Sequence, residues 1–384
     1  MKNSGAYLRL LLFGFLQLFG YSMSSPFLPI LGAEQDPTKI LAGVLIGSHF
    51  LSRVFTELPS GLIIDRLGGK KPILLSFLLS AIGAIVCAFS MSIYMLLLGL
   101  MIWGLGSAFF FTSSTILVIR FFELHSRGRA LGTLQAVGFA GIFVGAPVGG
   151  FIAEYLGYKL VFLVSGAFMV AGFLIAFFSK SFKERLAKRP GRVSTLNALR
   201  ELKNWRILCI CIASLFRMYI AQGIMLTSFP IYLHDFLNVG IGLIGISMGI
   251  RTLGLSIGTI AFGYVADRRG RKSVALAGLA IESICLCLFT RAFSFMSLLS
   301  LVFLEGMGSG MLSVALILFV TEQTTKYQGS IVGLYRTFMD IGAVTGPIFT
   351  MVIYTIFGVL ATFTFGAVML ILNILTLSTV KSRK

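Results

Sequence analysis

Residues 61–71 read GLIIDRLGGKK, and residues 263–273 read GYVADRRGRKS. Each stretch closes an apolar run with an aspartate–arginine pair, turns on glycine and ends in polar or basic residues. Outward from these two stretches the likeness continues. Gly43 and Gly47 fall on Gly245 and Gly249 ahead of them, and Pro29 has its counterpart in Pro230. Behind them Gly104, Gly106 and Ser107 fall on Gly306, Gly308 and Ser309, while Gly132, Gly141 and Gly145 fall on Gly333, Gly342 and Gly346. A register kept this far marks an internal repeat of about 200 residues.

Each half of the repeat is strongly apolar. Of 384 residues, 57% are hydrophobic and only 12% charged, with a mean hydropathy of +0.95. Soluble domains carry about 25% charged residues, so the composition excludes a soluble enzyme, a disordered chain and a disulfide scaffold. A helix needs about 20 apolar residues to cross a bilayer. Twelve such spans are predicted, at residues 7–31, 40–64, 72–90, 94–119, 130–153, 158–179, 205–233, 240–266, 273–291, 295–321, 328–357 and 359–380. Runs such as PILLSFLLSAIGAIVCAF at 72–89 do not alternate in polarity as barrel strands do. The expected fold is an all-α integral membrane protein of twelve transmembrane helices in two six-helix pseudo-repeats.

A net charge of +18 suggests nucleic acid until the charges are located. With the N-terminus inside, most of the 32 Lys and Arg fall on one face. Arg66, Lys70 and Lys71 follow the second span, Arg120, Arg127 and Arg129 the fourth, and Arg268, Arg269, Arg271 and Lys272 the eighth; the opposite face keeps only Lys39, Lys159 and Arg291. Cytoplasmic loops collect positive charge. Both termini are therefore expected in the cytoplasm, and the basic balance implies no nucleic-acid partner. The expected domains are a six-helix bundle at 1–180, a basic cytoplasmic linker at 181–204 and a second bundle at 205–384. Within the linker, around 195–203, a short amphipathic helix is expected on the anionic inner leaflet. Lys2, Arg9 and the apolar run to Ser22–Ser25 superficially resemble a signal peptide. The first span has a counterpart in the second half, which argues against cleavage. Cys87, Cys209, Cys211, Cys285 and Cys287 lie in or beside apolar runs. Helical residues two apart point to nearly opposite sides, so the C-x-C pairs read as small hydrophobes and not as metal ligands.

The paired loops resemble the Gly-x-x-x-Asp-Arg-x-Gly-Arg-Lys signature of the major facilitator superfamily, and the resemblance spans the whole chain. It implies a gating loop of Gly61, Asp65, Arg66, Gly69 and Lys70, repeated as Gly263, Asp267, Arg268, Gly270, Arg271 and Lys272, which latches the two halves on the cytoplasmic side. A solvated turn obeying the charge bias is the plainer reading. The fifth span also resembles the signature of members that exchange drugs for protons. Gly132, Gly141, Gly145, Gly149 and Gly150 fit it, with the proline one place late at Pro147. The eleventh span keeps Gly342, Gly346 and Pro347 in register. The family's fourth-span arginine is replaced by Leu100. Gly138, Gly141, Gly145 and Gly149 form a small face suited to close helix packing, on which the resemblance also implies that the halves rock.

Ionisable groups inside spans carry the most information, because a charge at the bilayer centre costs about 2.5 kcal/mol or more. His49, Arg53 and Glu57 are spaced by four and share one helix face, as do Arg336 and Asp340. Arg217, Arg251 and Glu305 have no such neighbour, and the resemblance places them on cavity-lining or flanking helices. These eight are the expected substrate or proton site. Glu282 lies in the ninth span, outside the cavity by the same likeness, and is expected to be a support. His49 is the only histidine in a span, the residue type that titrates nearest neutrality. Phe109, Phe110, Phe111, Tyr219, Tyr232 and Tyr335 suit either a pocket wall or packing.

Three functions compete. The first is a proton-coupled secondary transporter of a small organic molecule, acting as an exporter, in which Glu57, Glu305 or Asp340 takes the proton. The second is an anion carrier in which Arg53, Arg217, Arg251 and Arg336 ring the cavity and fork onto carboxylate or phosphate. The third is a receptor of the same fold that moves nothing. No catalytic grouping or phosphate loop is present in the sequence, so no enzyme, cofactor or metal is expected. The expected partners are a small-molecule substrate, protons and the lipid bilayer, with the chain a monomer in the plasma membrane.

Overall fold

An apolar chain in lipid must satisfy its backbone internally, and in the computed structural model it does so with helices. The structure describes residues 4–67, 69–179, 204–292, 294–322 and 328–380, and among them there is no β-strand. The helices are α1 (Ser4–Ser22), α2 (Leu28–Glu34), α3 (Ile40–Leu67), α4 (Lys70–Ala88), α5 (Ile93–Phe121), α6 (Leu124–Leu156) and α7 (Tyr158–Phe178). After residue 203 follow α8 (Trp205–Met218), a π-helical stretch Tyr219–Ser228, α9 (Phe229–Asp235), α10 (Ile241–Arg269), α11 (Arg271–Leu288), α12 (Phe295–Glu322) and α13 (Gln328–Thr379). Among the described residues, 9 helical segments are long and apolar enough to cross a membrane. The expected linker lies outside the described residues except for Asn204, whose side chain accepts from Arg206 N at 3.1 Å and starts α8.

Helix breaks follow from local chemistry. The first expected span is interrupted by a turn between Ser22 and Leu28. Pro26 has no N–H to give the Ser22 carbonyl, and the Ser25 hydroxyl donates to it at 2.7 Å instead. Pro29 and Pro230 sit in the first turns of α2 and α9, where the missing donor is tolerated. The expected seventh span is broken by the π-helical stretch, where Gly223 lies against the Gly346 carbonyl. The eleventh and twelfth expected spans meet within α13 at Gly358, φ 82° and ψ 179°. Its first-half counterpart, Gly157, separates α6 from α7 at φ 86° and ψ 160°. Glycine alone enters that backbone region at low cost.

The described chain forms two compact units. One gathers the described residues within 1–35, 48–190 and 238–249; the other gathers those within 36–47, 191–237 and 250–384. In the first unit α4 packs on α5 and α7, and α1 packs on α6. The glycine face of α6 meets α1. A Cβ at Gly141 would fall 2.7 Å from the Phe15 carbonyl oxygen, and one at Gly145 would fall 2.6 Å from that of Phe19. Gly138 meets Leu18 on the same helix and Gly149 meets Met23 in the turn after it, while Gly150 lies against Ile241 and Gly242. Pro147 is inside α6, and its backbone meets Gly245. In the second unit α11 packs on α12, and α8 with its π-helical extension packs on α13. There Gly342 meets Leu215, Gly346 meets Tyr219, and the Pro347 backbone meets Gly43. Of the cysteines, Cys287 is exposed while the other four are buried.

Candidate substrate and proton site

Small residues bring the charged groups of the second unit together. Gly254 and Gly258 on α10 face the Phe303 and Met307 carbonyls of α12, and Gly306 and Gly310 on α12 face the Arg251 and Leu255 carbonyls of α10. Each helix thus offers a small-xxx-small pair, which lets two backbones approach closely in lipid. Arg251 reaches across this contact. Its Nε donates to Glu305 Oε2 at 2.6 Å and its Nη2 to Glu305 Oε1 at 2.9 Å. This is a two-pronged, charge-assisted pair. The Glu305 side chain is 0% exposed and that of Arg251 13%.

Glu282 on α11 joins this pair, although its place in the ninth span leads one to expect an outlying support. It is buried, and neither carboxyl oxygen has a hydrogen-bonding partner. Glu305, Arg217 and Arg251 all act on it electrostatically. Arg217, also buried, donates to the Met218 sulfur at 3.4 Å. The repeat holds the signal that would have found the cluster. The register that sets Gly106 on Gly308 also sets Ser80 on Glu282, Trp103 on Glu305 and His49 on Arg251.

In the first unit those counterpart positions form a neutral, aromatic cluster. The buried His49 ring stacks on Tyr21 with centroids 4.2 Å apart, and Tyr21 meets Trp103 edge-on at 5.8 Å. Tyr21 Oη, His49 Nδ1 and Trp103 Nε1 are buried without hydrogen-bonding partners. One turn along α3, the Arg53 guanidinium lies over Phe111 at 5.0 Å and Phe50 at 5.5 Å, a cation–π arrangement. Gln17 Nε2 donates to Ser80 Oγ at 2.8 Å and, more weakly, to Ser107 Oγ at 3.4 Å. On α13, Arg336 is exposed and Asp340 half-buried. The side chain of Glu57 lies outside the described residues.

The paired loops place bases at helix C-termini. Lys70 Nζ donates to the Phe177 and Ser179 carbonyls at 2.7 and 2.8 Å, closing the end of α7. Its counterpart Lys272 donates to the Ser378 carbonyl at the end of α13. Cations favour such ends, where unpaired carbonyls concentrate negative charge. Arg271 donates to the Leu318 carbonyl at 2.8 Å, and Arg268 lies over Tyr264 at 4.3 Å. Gly69 precedes α4 against Leu117, Gly263 is within α10, and Gly270 turns into α11 at φ 96°. Gly61 is within α3. The side chains of Asp65, Arg66 and Asp267 lie outside the described residues.

Comparison with known proteins fits this arrangement of helices. The chain is 25% identical over 370 residues to the multidrug resistance protein MdtG of Proteus mirabilis, covering 94% of this chain and 92% of that one. It is 25% identical over 371 residues to MdtG of Salmonella typhimurium, covering 94% and 91%. Among solved structures it resembles a bacterial homologue of the human lysosomal transporter Spinster, with a TM-score of 0.80 at 15% identity and coverage of 98% and 95%. The nucleoside transporter NupG gives a TM-score of 0.80 at 16% identity, with coverage of 97% and 99%. The human organic anion transporter MFSD10 gives 0.70 at 17%, with coverage of 97% and 98%. These structural likenesses show the fold. The Major Facilitator Superfamily model matches residues 10–250 and again 213–384, so the chain belongs to that superfamily of multi-pass membrane transporters.

Proposed function

We propose that the chain is a proton-coupled exporter of small, lipophilic organic cations, working by alternating access. The buried Arg251–Glu305 pair carries this reading. A guanidinium already neutralised by a carboxylate makes a poor anchor for an anion, and the carboxylate of the pair is the group left to recognise a cation. That carboxylate can exchange its arginine for a cationic substrate. The multidrug resistance relatives support export. Exchange of one entering proton for one leaving monovalent cation moves no net charge, so the pH gradient, about 1.4 kcal/mol per pH unit, drives it. In this reading the twelve spans divide as 1–180 and 205–384 about the linker. Both termini lie in the cytoplasm, and the chain acts as a monomer in the plasma membrane. The gating-loop bases at the ends of α7 and α13 hold those helices in place, while Asp65 and Asp267 act as latches.

The test is accumulation of ethidium by cells with and without the protein. Expression should lower accumulation, and a protonophore should abolish the difference. A difference that survives the protonophore rules out proton coupling. A second reading, an anion carrier, is favoured by Arg217. Among the described residues no carboxylate lies within salt-bridge distance of this buried guanidinium. Arg217→Gln separates the two readings: it should abolish carriage of an organic anion such as benzoate while sparing ethidium export.

A further inference from the structure

α11 contributes an acid for which the fold shows no structural use. Glu282 is 1% exposed, and both of its oxygens lack hydrogen-bonding partners. Gly278 and Gly308 let α11 and α12 approach closely, and a Cβ at Gly308 would lie 3.2 Å from Glu282 Cγ. The charged groups around it come from several helices. α12 brings Glu305 and the Ser309 hydroxyl, α10 brings Arg251 and α8 brings Arg217. Cys285 on α11 itself is within electrostatic reach. α13 has no ionisable side chain between Gly358 and Thr379, and before Gly358 it carries Tyr335, the exposed Arg336, the half-buried Asp340 and Tyr354. Among the described residues no ion pair engages Glu282. Arg251 is already held by Glu305 through two bonds.

The first half shows what a supporting group looks like at this place. Ser80, the counterpart of Glu282, is buried and accepts from Gln17 at 2.8 Å. A neutral hydroxyl therefore suffices for packing there. An ionised carboxylate buried with at most the Ser309 hydroxyl to donate to it, and no ion-pair partner, is far costlier than a neutral carboxyl.

We propose that Glu282 is the proton carrier of the transport cycle and shares Arg251 with Glu305. While Arg251 is bonded to Glu305, Glu282 keeps its proton. When a cationic substrate takes Glu305, Arg251 turns to Glu282. The O–H bond of Glu282 breaks, its electron pair stays on the carboxylate and the proton leaves to water. One positive charge enters the cluster with the substrate and one leaves with the proton, so the net charge at the site is unchanged. This exchange allows one guanidinium to serve two acids in turn, and it makes substrate and proton mutually exclusive. The inference rests on the coupled-export reading of the protein.

The experiment uses purified full-length protein in detergent, with tetraphenylphosphonium as the probe. In weakly buffered solution the wild type should release one proton per probe bound, and its affinity should fall about tenfold for each pH unit below the titration of the site. Glu282→Gln should bind the probe with no proton release and a flat pH dependence. Glu282→Asp should keep release at a displaced midpoint. Glu305→Gln should lose the probe. Infrared difference spectra across pH should show a protonated-carboxyl C=O band in the wild type that Glu282→Gln removes. If the wild type is pH-dependent and Glu282→Gln stays so, or keeps the band, this assignment is overturned and coupled export stands. If the wild-type affinity is flat with pH, coupled export itself falls, and the assignment with it.

Discussion

At the residue scale, the Arg251–Glu305 pair is expensive to bury and more expensive to break. Each ion loses several kcal/mol of hydration, which two short charge-assisted bonds offset. Removing one partner strands the other. Arg251→Gln or Glu305→Gln should each destabilise the protein by about 3–5 kcal/mol, read as thermal unfolding of the purified protein. The double change Arg251→Met with Glu305→Leu should recover most of that stability and transport nothing. A double variant that loses the sum of the two single effects would show that the two side chains do not act as a unit. Both residues were legible in the sequence as ionisable groups inside apolar runs. Their pairing was not, because it joins positions 54 apart through helix contacts. Helix order alone led to Glu282 being expected as a support; its burial and the glycine contact between α11 and α12 set it within electrostatic reach of the Arg251–Glu305 pair.

At the element scale, glycines fall into two physical kinds. Those at helix contacts are there for space. Gly306→Val should push α10 off α12, costing about 1–3 kcal/mol of stability and loosening the ion pair with it. Those at turns are there for backbone conformation. A Cβ at Gly157 or Gly358 would meet nothing within 4 Å, yet each to Ala should cost about 1–3 kcal/mol because of the positive φ. Gly132 is equally open but helical, so Gly132→Ala should stabilise by up to about 1 kcal/mol. Chemical denaturation of the three variants checks the distinction; equal effects would refute it.

The start of α3 depends on a cap. The Asp36 carboxylate accepts from Thr38 N and Leu41 N, each at 3.0 Å. The hydrogen bond from the Thr38 hydroxyl, helped by these amides and opposed by burial, holds its carboxyl below the ordinary aspartate range. A depressed pKa means the cap is fully present above the unfolded value of about 3.9 and is lost as pH falls through the folded one. Asp36→Asn should remove that acid-side pH dependence of stability while keeping most of the cap, whereas Asp36→Ala should cost about 1 kcal/mol at neutral pH. Unfolding curves across acid pH test both. Apolar runs made the helices legible from sequence, and Pro29 and Pro230 marked where two of them bend. The π-helical stretch was not legible, since the contact of Gly223 with Gly346 is made between helices far apart in sequence.

At the scale of the whole molecule, the repeat was the most legible feature, because paired glycines and paired loops survive even where other residues diverge. The same register, carried beyond the glycines, also shows how far the halves have diverged chemically. Equivalent positions hold His49, Trp103 and Ser80 in one half, but Arg251, Glu305 and Glu282 in the other. One half supplies an aromatic interior with the Arg53 guanidinium over Phe111, and the other the buried Arg251–Glu305 pair beside Glu282, so the coupling chemistry is proposed for the second half. The +18 net charge belongs to a different task, since with the proposed topology most of it coats the cytoplasmic face and fixes orientation. The most direct test of the central claim is ethidium movement in proteoliposomes carrying the wild-type protein under an imposed pH gradient. The account predicts that ethidium moves against its own gradient towards the acidic compartment, and that the movement stops when an ionophore dissipates the pH difference. Flux that runs only down the ethidium gradient, indifferent to the pH difference, would contradict it.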